Sequence, residues 1–175
     1  KGPFHLDGLL KVPFIWKWPG RFPPGRATGA LVSQLDFVPT VLDLAGLPQP
    51  EFGPPPGGKP EAERQLEALA GRSFFPLLNG EEDEVQDAVV VENDEDYLGL
   101  RLRTIVTKTH QLTMYAGEDG ELPYGELFDL DKDPGQVHNL WDDPDSRGLR
   151  GRLKERLLAE LVRTDSRLPR RHGHA

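Results

Sequence analysis

Apolar and polar residues alternate with a period close to two from Asp87 onward. AVVVEN, LRLRTIVT and QLTMYAG are rich in β-branched residues, with Leu100, Leu102, Thr104 and Val106 in step. Successive strand side chains point to opposite faces, so these runs predict strands, and their short connections predict antiparallel pairing. GELFDLDKDPGQVHNLWDDP continues as a further strand followed by a turn at Asp133-Pro134-Gly135. The period then lengthens. Leu149, Leu153, Leu157, Leu158 and Leu161 fall on one face of a predicted terminal helix, and the tail from Arg163 is expected to fray.

The N-terminal block alternates shorter elements. Phe4 to Lys11 predicts a short helix with Asp7 and Lys11 spaced to pair. Val12 to Trp18 predicts a short strand buried on most of its length, stopped by Pro19-Gly20, with Pro13 at a strand start or edge. Arg21 to Gly29 is a loop. Ser33 is placed to cap a helix carrying Leu35, Val38, Val41, Leu42 and Leu44, which Pro39 kinks or restarts and Gly46 and Pro48 stop. Gln49 to Pro60 is a Pro/Gly linker, Pro60 to Leu69 has helix-forming composition, and GRSFFPLLNG is an apolar hook ending at Asn79-Gly80. Glu81 to Glu84 reads as a loop. No repeat appears at 20 to 50 residues. The expected division is 1–52, 53–86 (linker and hook) and 87–175, an α+β unit of three or four antiparallel strands with a terminal helix.

Composition narrows the function classes. The 175 residues contain no apolar run long enough for a membrane helix and no leader pattern. The chain starts at Lys1 and its one methionine is Met114, which reads as a fragment boundary. Lack of cysteine excludes a disulfide framework, a thiolate zinc site and a cysteine nucleophile within these residues. A net charge of -8 argues against nucleic acid and anionic membranes as partners. The acid-rich stretch Glu81 to Asp96 and the arginine-rich stretch Arg147 to Arg171 read as two solvated faces.

No Ser-His-Asp order, phosphate-cradling glycine loop or HExxH motif is present. Glu92, Asp94, Glu95 and Asp96 could hold a hard cation, but without spaced oxygen ligands and a central glycine a solvated turn is the expectation. His5, His110 and His138 are too scattered to argue a metal site, and His172 and His174 lie in the basic tail. Asp36 and Asp43 are expected to cap or pair.

Five strings in order carry a family likeness. Lys1, Gly2, Phe4, Asp7 and Lys11 lead into Val12-Pro13 and the Trp18-Pro19-Gly20-Arg21 end. ALVSQLDFVPTVLDLAGLP, GRSFFPLLNG, RTIVTKTHQLTMY and GELFDLDKDPGQVHNLWDDP follow. Together they resemble the C-terminal part of a sulfatase of the alkaline phosphatase superfamily. The resemblance implies an α/β (alkaline phosphatase-like) parent, of which residues 1–52 are the closing elements. It implies hydrolysis of a small-molecule or carbohydrate sulfate ester, with a missing N-terminal catalytic domain as partner. That domain would contain the calcium ion and the formylglycine made within C/S-x-P-x-R, so this chain alone is expected to be inert and to bind no metal. Lys1 matches the family lysine that contacts sulfate oxygens and is the implied catalytic residue. His5 and His110 are the substrate-binding candidates. Thr109-His110 stands where a Tyr-Lys or Tyr-Arg pair is common, and Lys11 where arginine is more frequent. Two alternatives stay open: a phosphate or phosphonate ester hydrolase of the same superfamily, and a truncated non-catalytic module.

Overall fold

A computed structural model describes residues 4–49, 70–95, 98–117 and 124–164. Strands β1 (Ala88–Glu95), β2 (Leu100–Thr107), β3 (His110–Ala116) and β4 (Tyr124–Asp129) form an antiparallel sheet in that order. The register sets Val90, Ile105, Leu112 and Leu127 side by side on one face. Helix α4 (Arg147–Thr164) covers this face with Leu153 and Leu157 buried and Leu149 and Leu161 partly so. Each buried leucine contributes about 1.5–3 kcal/mol by leaving water. Leu158, expected on the same stripe, is 63% exposed. It lies one residue past Leu157, about 100° around the helix, and faces solvent. The helix runs through Thr164, past the expected fraying point. Trp141 closes the other end of this face. Its ring occupies the space where a Cβ on Gly125 would stand, and Arg150 and Lys154 sit over it at 5.1 and 4.4 Å.

The N-terminal block folds around a buried carboxylate. A 3-10 turn (Gln34–Asp36) runs into α2 (Phe37–Leu44), and α3 (Phe75–Asn79) forms the hook. Ser33 and Asp36 make a reciprocal capping box at the start. Pro39 falls in the first turn of α2, where its missing N–H costs no helical bond. Asp36 Oδ2 accepts from the Ser33 backbone N–H and from Gln86 Nε2, and Oδ1 from the Arg72 N–H, each at 2.7 Å. Thr40 Oγ1 adds a link, donating to the Asp36 carbonyl and accepting from the Phe74 N–H. One carboxylate thereby ties α2 to the hook and to the entry of the sheet. Gly80 ends α3 in the left-handed region at φ 81°, a conformation glycine adopts without a Cβ clash.

Two expectations are corrected. Residues Val12 to Trp18 form no strand and pair with no strand among the described residues. Nor is the segment buried on most of its length, since every residue from Val12 to Trp18 except Trp16 is exposed. Phe14 and Trp16 set their rings against Phe74, at 5.5 and 5.3 Å between centroids, while Ile15 is 87% exposed. An extended segment becomes a strand only when a neighbour supplies ladder partners. The acidic group is not a turn either. Glu92, Asp94 and Glu95 lie in β1, with Glu92 opposite Arg103 and Asp94 opposite Arg101 of β2. Arg103 pairs with Glu92 at 3.0 Å and Asp94 at 2.8 Å, and Arg101 with Asp94 at 3.0 Å. Cross-strand pairing offsets the low strand preference of acidic residues. The two charged stretches meet at the surface, where Arg156 of α4 pairs with the exposed Asp87 at 2.6 Å. The region 50–69, with most of the linker and the stretch of helix-forming composition from Pro60 to Leu69, lies outside the described residues, as do Asp96, His172 and His174.

Replacing Asp36 with alanine strands three donors at a buried site and is expected to destabilise the intact protein by about 3 kcal/mol or more. Asp36→Asn, which keeps an acceptor oxygen, is expected to cost less. Urea melts read both, and an unchanged midpoint for Asp36→Ala would contradict the node assigned to this residue.

Candidate functional site

The opposite face of the sheet is closed by hydrogen bonds. Thr104, Gln111 and Thr113 are buried there beside Leu102 and Phe128. These polar side chains meet the segment leading into α1 (Asp7–Leu10). His5 is 4% exposed, and its Nδ1 lies 2.7 Å from Thr104 Oγ1, which donates to Thr113 Oγ1 at 2.8 Å. With that hydroxyl donating onward, the imidazole supplies the Nδ1–H. Gln111 Nε2 donates to the His5 carbonyl. Two residues on, the Asp7 backbone N–H donates to Gln136 Oε1 at 2.7 Å. That N–H belongs to the first turn of α1, where Leu6 offers no side-chain cap. Gln136 therefore supplies, from far along the chain, the acceptor a helix start normally finds locally. Asp7 also pairs with Lys11 at 2.5 Å, as the spacing predicts.

Burial lowers the His5 pKa below 6.5, and the nearby Arg103 guanidinium lowers it further. The ring is neutral at pH 7 and acts as a tether. His110 is placed differently. It begins β3 with the same parity as Leu112, on the α4 side of the sheet, with Nδ1 2.8 Å from Thr109 Oγ1 and Nε2 3.9 Å from Asp129 Oδ2. The Lys132 backbone N–H and ammonium hold the Asp129 carboxyl below its usual range. The two candidate histidines thus occupy opposite faces and do not converge. Lys1 lies outside the described residues. His138 is exposed, with Nδ1 3.8 Å from Asp133 Oδ2.

Among the described residues no group of three or more His, Asp or Glu is placed to hold a metal ion. The sequence contains no cysteine and no serine in an S-x-P-x-R context. Among the described residues there is therefore no calcium site, and the sequence holds no formylglycine precursor in C/S-x-P-x-R. A shallow depression lined by Glu92, Arg103, Leu161 and Val162 lies on the helix side, away from His5. Arg21, of the Trp18 to Arg21 string, stacks between the rings of Trp18 and Phe75 at 5.0 and 5.4 Å.

A closing block followed by a four-stranded antiparallel sheet with a terminal helix is the arrangement that the resemblance to a sulfatase C-terminus implies. The profile of the family described as "N-sulphoglucosamine sulphohydrolase, C-terminal" matches residues 3–53 and 62–163, and the chain belongs to that family. It is 28% identical to an ulvan-active sulfatase of Formosa agariphila over 91% of this chain and 34% of the relative. A Δ4,5-hexuronate-2-O-sulfatase of Bacteroides thetaiotaomicron is 32% identical over 79% of this chain and 26% of its own length. A solved Bacteroides thetaiotaomicron structure with a provisional sulfatase description superposes at TM-score 0.72 with 28% identity, covering 94% of this chain and 32% of that one. The phosphonate monoester hydrolase of Agrobacterium radiobacter superposes at TM-score 0.54 with 25% identity, covering 74% and 24%. The chain therefore spans about a third or less of the relatives it matches, and its fold is that of the closing part of an alkaline phosphatase-like α/β protein.

Sequence reasoning missed Thr104, Gln111 and Gln136. The first two had a signal, since polar residues sharing one face of otherwise apolar strands mark a polar partner. Gln136, in a turn, had none. Because the folded protein resists protonating His5 while the unfolded chain does not, its contribution is intact above pH 6.5 and is lost as pH falls toward the lowered pKa. Ring-proton NMR of the intact protein is expected to give His5 a midpoint below 6.5. A midpoint at or above that value would contradict the buried neutral tether.

Proposed function

We propose that the intact protein is a sulfatase that hydrolyses sulfate esters of carbohydrates, and that this chain contributes Lys1 as a ligand for sulfate oxygens. Membership of the sulfohydrolase C-terminal family is the observation that carries the reading. Two relatives described as acting on ulvan and on a hexuronate 2-O-sulfate support the carbohydrate class. Hydrolysis adds water across the S–O bond, releasing the alcohol and sulfate. Charge spreads over the sulfuryl oxygens and builds on the leaving oxygen, so a fixed ammonium lowers the transition state more than the ground state. On this reading a formylglycine nucleophile and a calcium ion belong to the part of the protein outside this chain, where they would supply covalent and Lewis-acid chemistry. We divide the chain at 1–52, 53–86 and 87–175, with the last unit capping the substrate pocket. Of the two histidines, the half-buried His110 keeps an accessible edge for a ligand, while His5 serves the pocket by holding the segment that begins at Lys1.

The phosphonate monoester hydrolase likeness favours a second reading, phosphonate or phosphate ester hydrolysis. Turnover by the intact protein of 4-nitrophenyl sulfate against 4-nitrophenyl phenylphosphonate separates the two. A higher kcat/KM for the phosphonate would overturn the sulfatase reading. Lys1→Met is expected to lower kcat on the aryl sulfate by about a hundredfold, as for loss of one preorganised oxyanion donor. Lys1→Arg is expected to recover part of it, because charge remains but the point geometry does not. An unchanged kcat in Lys1→Met would remove Lys1 from the site.

A further inference from the structure

Glu126 stands on the seam face of the sheet without a cation. The register sets it opposite Thr113, and sets Tyr115 opposite Tyr124 one row further along the same face. Thr113 and Leu102, the β2 neighbour of Tyr115, are both 0% exposed. A carboxylate on so closed a face is expected to find an opposite charge. On the other face Glu92 and Asp94 do, each meeting Arg103. The half-buried Glu126 instead accepts from a phenol, its Oε2 lying 2.7 Å from the Tyr115 hydroxyl. Burial and this carboxylate push the Tyr115 phenol above its ordinary range, so it remains a donor. Among the described residues Glu126 Oε1 has no hydrogen-bond donor. Tyr124 completes the group, with its ring centroid 5.5 Å from that of Tyr115 and half of its surface, 50%, open. A cross-strand ring pair stiffens a hairpin. That role accounts for the two tyrosines and leaves the carboxylate unexplained.

We propose that Tyr124, Tyr115 and Glu126 form a subsite for an unsulfated pyranose unit flanking the unit whose sulfate ester is cleaved. The inference deepens the carbohydrate reading above and rests on it. A pyranose presents C–H groups on its faces and hydroxyls around its rim. The open ring of Tyr124 offers an apolar surface with few rotamers to freeze. Glu126 Oε1 offers a charged acceptor to the rim hydroxyls, and O–H···O⁻ bonds are the short, strong kind. Tyr115, bonded to Oε2, fixes the direction in which Oε1 points. Charge selects the unit, because a carboxylate repels a sulfate group and accepts a hydroxyl. The group also lies beside the N-terminal block. Thr113, opposite Glu126, takes its hydrogen bond from Thr104, on which the His5 ring rests. Tyr115 is four residues along β3 from Gln111 of the seam, about 13 Å.

Tyr124→Ala, Tyr124→Phe and Glu126→Gln in the intact protein test this on two kinds of probe. One is 4-nitrophenyl sulfate, which has no flanking sugar. The other is a pair of sulfated tetrasaccharides, one from ulvan and one from a polysaccharide bearing hexuronate 2-O-sulfate, of which the better substrate is used. Tyr124→Ala is expected to lower kcat/KM on the tetrasaccharide about tenfold, mostly through KM, as for truncation of a binding tyrosine. On the aryl sulfate it is expected to stay within about twofold, because nothing there reaches the subsite. Tyr124→Phe, which keeps the ring, is expected to restore tetrasaccharide KM. Glu126→Gln, which keeps an uncharged acceptor, is expected to raise that KM about threefold. A purely structural pair would lower Tm and impair both probes by the same factor, and that result overturns the subsite. Unchanged tetrasaccharide kinetics in Tyr124→Ala also overturns it, while leaving the carbohydrate reading in place. A wild-type protein that prefers the aryl sulfate to both tetrasaccharides overturns the carbohydrate reading, and this inference with it.

Discussion

A four-stranded sheet has two faces, and in this protein they are closed by opposite means. Helix α4 and Trp141 bury one under apolar side chains. The other meets the N-terminal segment through a seam of side-chain hydrogen bonds, with His5 on Thr104, Gln111 on the His5 carbonyl and Gln136 on the Asp7 N–H. Apolar contact would hold the segment against the sheet but tolerate sliding. Hydrogen bonds are directional and short, and a buried donor left unmade is costly. The seam therefore specifies where residues 5–7 sit against the sheet.

Asp36 performs a related task one layer away, joining α2, the hook and the sheet entry through three donors. The N-terminal block has few large apolar residues fully buried, Phe74 and Leu77 among them, while Val12, Phe14, Ile15, Phe37, Val38 and Val41 remain exposed. Polar nodes thus fix a block whose apolar burial is thin. In the sheet unit the balance is reversed, and apolar packing does most of the holding.

Most of the fold was legible in the chain because it follows from local pattern. The strands showed as period-two runs, α4 as a 3.6-residue stripe, the start of the turn into α2 as Ser33 and its stop as Gly46, and the end of the hook as Gly80. Val12 to Trp18 misled because alternation reports which side chains point inward and is silent on whether a ladder partner exists. Glu92 and Asp94 misled because strand preference is assessed residue by residue, while their pairing with Arg101 and Arg103 depends on register. The candidate site was less legible. Lys1 came from the order of motifs, and the seam at His5 and Asp7 joins residues about 100 or more positions apart. No local window shows that Gln136 caps Asp7 or that Thr104 meets His5.

The central claim is the proposal that Lys1 of the intact protein contacts the sulfuryl group. It is tested most directly by an experimental structure of the intact protein with sulfate bound at the catalytic centre. The account predicts Lys1 Nζ at about 2.7–3.2 Å from a sulfate oxygen, with the Asp7 N–H still on Gln136 Oε1. A sulfate bound there with Nζ turned to solvent beyond about 5 Å would contradict it, since at that distance no hydrogen bond to the oxygen exists.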